Sequence, residues 1–202
     1  MIDAVVFDFD GTLVDSNRIK HDVFFEVVDS LQGSAALMNR ILEEPVVHDR
    51  HSVFATFVKG LSQAINQDEL VKQYTSICER KIAVVAEVPG ATYAMEQLRL
   101  RGIELFINSA TPSAPLTAIV ANRYGDGFFR GVFGGPLSKE ENLKLIISKY
   151  NFTPKEMLVV GDGDDDQRAA KAIGCQFVGV QGTGRTFKFP HLGCSSFPGP
   201  SS

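Results

Sequence analysis

Apolar positions along the chain alternate between two rhythms. Ala4, Val5, Val6 and Phe7 form a short unbroken run of branched and aromatic side chains. Such a run suits a strand buried on both faces, as in a parallel sheet covered by helices. Residues 103–107, 157–160 and 175–180 predict further strands of this kind, and 128–133 form one more apolar stretch. Between them the spacing becomes helical, predicting helices over 91–101, which Gly102 ends, over 114–124, and from Ser138-Lys139-Glu140-Glu141 onward. Strands that alternate with helices in this order predict an α/β fold built on a parallel sheet.

The stretch between Asp15 and Ala86 departs from that alternation. Val23, Phe24, Val27, Val28 and Leu31 recur at helical spacing, and so do Phe54, Phe57, Val58, Leu61 and Ile65. Leu70, Val71, Tyr74, Ile77, Cys78 and Ile82 make a third stripe, and 35–42 a weaker fourth. Gly33-Ser34, Pro45 and Asn66-Gln67-Asp68 punctuate them. Roughly seventy helical residues therefore interrupt the sheet pattern after its first strand. Aromatic stripes at this spacing read as bundle core rather than as a cofactor box. After residue 181 Gly182, Gly184 and several prolines and serines read as loop, with a mobile tail expected from about 193.

Composition alters this picture little. The 202 residues are 44% hydrophobic and 22% charged, an ordinary globular balance, and the net charge of −4 weighs against a nucleic-acid or anionic-membrane partner. Cys78, Cys175 and Cys194 have no metal-ligand spacing and suit a reducing compartment. No basic, apolar leader opens the chain and no run approaches eighteen apolar residues, so a soluble, cytoplasmic protein is expected.

Candidate chemistry gathers where apolar runs stop. Asp8 and Asp10 follow the first run two residues apart, so in extended backbone both carboxylates face one space. Paired carboxylates are costly to bury alone, and a divalent cation with oxygen ligands such as Mg2+ relieves that cost. Read alone, Asp10-Gly11 is also an ordinary turn. Ser109-Ala110-Thr111-Pro112 would pass for a helix N-cap, Lys139 and Lys144 for surface lysines, and the acids of Gly161-Asp162-Gly163-Asp164-Asp165-Asp166 for a solvated run. The last segment nevertheless ends a strand, where open α/β sheets bind their ligands.

Taken together, FDFDGTLVDS at 7–16 and GDxxxD at 161–166 resemble the first and fourth motifs of the haloacid dehalogenase superfamily, most of whose members are Mg2+-dependent phosphohydrolases. The resemblance is to capped members of the phosphoglycolate phosphatase and beta-phosphoglucomutase type. It implies a Rossmann-like catalytic core from 1–15 and 87–202, with a helical cap over 16–86 that closes over the site and selects the substrate. It further implies Asp8 as nucleophile, Asp10 as acid and base, and Mg2+ held by Asp8, the Asp10 carbonyl and Asp162, with Asp166 in the second shell. Ser109, the backbone of Ala110, and Lys139 would bind phosphate, with Lys144 as the other candidate for the lysine. Asp164 and Asp165 match nothing in the motif and are expected to be exposed. Asn108, where family members usually carry an ordinary strand residue, is either an added polar contact or a buried, satisfied amide. The implied activity is hydrolysis of a small phosphorylated metabolite through an aspartyl-phosphate. A phosphomutase and a non-catalytic phosphometabolite-binding protein are the alternatives, and monomer and homodimer both stay open.

Overall fold

The computed structural model describes residues 1–31, 34–44, 49–61 and 65–180. Gly33, Pro45, Cys194 and the glycines and prolines after 181 lie outside the described residues. The chain forms two compact units, one of Met1–Asp15 with the chain from Ala86 onward, the other spanning Ser16–Val85.

The first unit is built on five parallel strands: β1 (Ala4–Phe7), β2 (Glu104–Pro112), β3 (Gly131–Gly135), β4 (Met157–Gly161) and β5 (Gln176–Gly179). Their order across the sheet is β3-β2-β1-β4-β5. The chain thus steps outward from β1 to β3, then returns to the other side of β1. Such a reversal opens a crevice beyond the carboxyl ends of the two central strands. Helices α5 (Ala91–Leu100), α6 (Ser113–Tyr124), α7 (Lys139–Tyr150) and α8 (Asp164–Ile173) make the crossovers. Ala4, Val5, Val6 and Phe7 are all fully buried although successive side chains point to opposite faces, which is why their run is unbroken. Leu143 and Ile146 of α7 and Ala169 and Ala170 of α8 pack on the face that carries Ala4, Val6, Phe106 and Val159.

Two strands differ from the sequence reading. β2 runs on past Ile107 to Pro112, and its pairing with β3 jumps from Asn108↔Phe133 to Pro112↔Gly135. Three residues on β2 therefore face one on β3, a bulge that no local pattern announces. β3 takes in only the second half of the 128–133 apolar stretch, while Phe128 and Phe129 pack against Tyr124 with ring centroids 5.5 and 5.4 Å away.

The second unit is helical: α1 (Asn17–Val28), α2 (Ser34–Glu43), α3 (Arg50–Gly60) and α4 (Gln67–Ala83). Phe24, Phe54 and Tyr74 interlock with centroids 4.3–5.8 Å apart. The Tyr74 hydroxyl donates to the Lys20 carbonyl at 3.1 Å, so the ring is buried and its polar end satisfied. Asp49 caps α3 by accepting from the backbone N–H groups of His51 and Ser52. No helix among the described residues is long and apolar enough to cross a membrane.

Candidate active site

β1 ends at Phe7, yet the Asp8 N–H still donates to the Val160 carbonyl at 2.8 Å, so Asp8 leaves the strand in register beside β4. The backbone then turns back on itself. Leu13 and Val14 both donate to the Phe9 carbonyl, and Gly11 donates to that of Val14. Gly11 has φ +76°, a conformation costly for any side chain but hydrogen, which is why the second acid is followed by glycine. The turn keeps Asp8 and Asp10 buried together, with 5% and 7% of their surfaces exposed.

The bulge in β2 brings hydroxyls to Asp10. Its Oδ2 accepts from Thr111 Oγ1 at 2.8 Å and, more weakly, from Ser109 Oγ at 3.4 Å, while the Thr111 N–H donates to Ser109 Oγ at 3.1 Å. Ser109 is therefore no helix cap: Pro112 precedes α6, and the Ser109 side chain faces the acid. Ala110, between the two hydroxyl residues, is exposed.

Lys139 opens α7 behind an N-cap at Ser138, whose hydroxyl accepts from the Glu141 N–H while the Glu141 carboxylate accepts from the Ser138 N–H. The lysine side chain is nine-tenths buried, and its Nζ lies 3.1 Å from Asp8 Oδ1, 3.0 Å from Asp165 Oδ2 and 2.8 Å from Asp166 Oδ1. Lys144 instead sits on the exposed side of α7, paired with Glu140 at 2.7 Å. Asp162 is half-buried at the end of β4 and accepts from Thr12 Oγ1 at 3.4 Å. Asp166, buried on α8, also accepts from the Gly163 N–H. Oxygens of Asp8, Asp162 and Asp166 all lie within 4.8 Å of one another, so these three carboxylates could hold a metal ion. Asp166 is thus near enough to be a ligand, while its two oxygens already accept from Lys139 Nζ and the Gly163 N–H, and the Asp10 carboxylate accepts from hydroxyls beside Asp8.

The electrostatics follow from burial and crowding. Burial pushes the Asp8 carboxyl well above its usual range; Lys139 pulls it back, and Asp166, Asp10 and Asp162 push it up again. Burial also lifts Asp166 to about 6 despite the lysine beside it. Burial alone would depress Lys139, but Asp8, Asp166 and Asp165 outweigh it and keep the ammonium charged. One cation thus faces more carboxylates than it can neutralise.

Two contributors were not given a role by the sequence. Thr111 carried a signal, a hydroxyl two residues after Ser109, but only the bulge turns it to Asp10. Asp165 is exposed as expected yet still reaches Lys139.

A parallel sheet with its acids at the switch of strand order places the molecule among α/β enzymes. A family model of haloacid dehalogenase-like hydrolases matches residues 2–174, and the chain belongs to that family. It is 27% identical over 189 residues to a phosphoglycolate phosphatase of Pseudomonas putida, covering 87% of this chain and 68% of the relative. Among solved structures, a Bacteroides fragilis protein described as a haloacid dehalogenase-like hydrolase superposes with a TM-score of 0.73 at 23% identity, covering 89% of this chain and 88% of that one. CbbY from Rhodobacter sphaeroides, in complex with phosphate, superposes with a TM-score of 0.72 at 18% identity, over 91% and 88% of the two chains. These last two likenesses are of fold.

Proposed function

We propose that this chain is a Mg2+-dependent phosphatase that hydrolyses a small phosphorylated metabolite, with phosphoglycolate the first candidate. The observation that carries the reading is the contrast between two neighbouring buried acids. Asp8 sits against an ammonium and two further carboxylates, whereas Asp10 sits against hydroxyls. A nucleophile beside charge-neutralising groups, next to an acid held by hydroxyls, is what phosphoryl transfer in two half-reactions needs. The phosphoglycolate phosphatase of Pseudomonas putida supports the substrate class.

In the first half-reaction an Asp8 oxygen attacks phosphorus and forms an acyl phosphate, while Asp10 gives its proton to the leaving alkoxide. In the second, Asp10 takes a proton from water, the water oxygen bonds to phosphorus, and the Asp8 carboxylate departs from inorganic phosphate. Ser109, the Ala110 N–H and Lys139 bind the non-transferring oxygens. The donor set suits a hard divalent cation, being oxygen throughout and carrying carboxylates that one lysine leaves uncompensated. Asp8, Asp162, Asp166 and the Asp10 carbonyl would hold Mg2+, which supplies charge neutralisation at the phosphoryl group. The helical unit Ser16–Val85 is read as the cap that selects the substrate.

A panel of phosphorylated metabolites, with inorganic phosphate measured with and without Mg2+, tests the reading. Asp8→Asn is expected to abolish turnover, and Asp10→Asn to lower it by ~10²–10⁴-fold, the usual worth of acid–base help. Wild-type turnover in Asp8→Asn would sink the mechanism. Phosphate transferred to a sugar hydroxyl instead of to water would make the enzyme a mutase.

A further inference from the structure

Two amides lie beside the proposed active site and take no part in its chemistry. Asn108 and Asn142 are buried to 3% and 1% exposure. Buried amides left unpaired are costly, and these are not. Asn108 Nδ2 donates to the Lys139 carbonyl at 2.8 Å, and its Oδ1 accepts from Asn142 Nδ2 at 3.0 Å. The same Asn142 nitrogen lies 3.5 Å from the Gly134 carbonyl. One short chain of bonds therefore ties β2, β3 and the first turn of α7 together. It does so one residue from Ser109 and at the backbone of Lys139 itself. Neither amide is among the residues that the family resemblance assigns a role, and apolar side chains would fill the same space without their desolvation cost.

We propose that the Asn108–Asn142 pair is a positioning device for Lys139. The pair fixes the lysine's carbonyl to the strand residue that precedes Ser109, so that the phosphate-facing hydroxyl and the ammonium are held in one frame. The need for it lies in the lysine stem. Its far end is gathered by three carboxylates, and nothing in those contacts sets how far the helix stands from the strand. A misplacement of about 1 Å in such a site can cost ~10²-fold in rate. The inference rests on the phosphatase reading, since that reading gives Lys139 its task.

The test uses Asn108→Leu with Asn142→Leu as a double variant, assayed on p-nitrophenyl phosphate, with and without Lys139→Ala. Replacing both partners together leaves neither side-chain amide orphaned and takes one donor each from the Lys139 and Gly134 carbonyls, so the variant is expected to melt within a few degrees of the wild type. Its kcat is expected to fall by ~10-fold or more, a loss that shrinks to within about twofold once Lys139 is absent. Equal losses with and without the lysine would show that the pair acts on something else. If the double variant fails to fold, Asn142→Asp keeps the shape, removes the donor to Asn108, and takes the same readouts. Amide exchange over residues 139–143 judges the clamp independently of turnover and should quicken by ~10-fold in either variant. Unchanged exchange overturns the inference, whereas an inactive wild type overturns only the phosphatase reading.

Discussion

Thr111 reaches Asp10 with a hydroxyl 2.8 Å from Oδ2, while Ser109 stands at 3.4 Å, so the closer bond belongs to the residue outside the motif. A proton donor must point at its leaving group, and a buried hydrogen bond to a carboxylate is worth about 1.5–3 kcal/mol. Thr111→Val keeps the branched shape and removes only the hydroxyl. It is expected to lower kcat by ~10–100-fold on that energy, and the melting temperature by about 3–10 °C for the same lost bond. A variant that matches wild-type kcat would show that Asp10 needs no such partner. At this scale the sequence was most readable where chemistry and strand ends coincide. Asp8, Asp10 and Asp162 each lie within three residues of the end of an apolar run, and the parallel strands bring them to one end of the sheet. Thr111 escaped notice because its orientation depends on a bulge. Asp165 escaped because its reach to Lys139 depends on the rotational phase of α8, which its own exposure conceals.

Elements hold these residues by means that a one-dimensional pattern reveals unevenly. Unbroken apolar runs foretold β1 and β4, and helical spacing foretold the four helices of the second unit. The extent of β2 and the start of β3 were not foretold, since both depend on how one strand bulges against the other. Gly134 makes that bulge possible. A Cβ there would come within 2.6 Å of the Thr111 carbonyl oxygen and 2.7 Å of Ser113 Cα, backbone atoms that no rotamer change can move aside. Gly134→Ala is thus expected to push the 111–113 segment outward, at the ~1–3 kcal/mol typical of overpacking. Thr111 should lose its hold on Asp10 at the same time, so kcat is expected to fall at least as far as in Thr111→Val. Thermal melting and steady-state rates read the two effects separately. Full stability together with full activity would show that the strands part without consequence.

Across the molecule, the crowding of acids around one lysine links folding, protons and metal. In the metal-free protein the Asp8 carboxyl lies well above its usual range and Asp166 lies at about 6. An acid raised by folding binds protons more tightly in the folded state, so its contribution to stability falls as pH rises from the unfolded value to the folded one. For Asp166 that window runs from about 4, the ordinary carboxyl value, to about 6. Above it the folded chain carries charges that repel, and a cation held by Asp8, Asp162 and Asp166 would relieve that repulsion. Below it protons already do so and compete with the metal for the same oxygens. Adding Mg2+ to the metal-free protein is therefore expected to raise the melting temperature more at pH 7.5 than at pH 5. The difference should be on the order of 5 °C, as about 1–2 kcal/mol of linked binding gives for a chain of this size. Calorimetry at the two pH values checks it, with Asp162→Asn as the control in which the Mg2+ effect should largely vanish. An equal rise at both pH values, or a larger one at pH 5, would mean that these carboxylates are not where the metal binds.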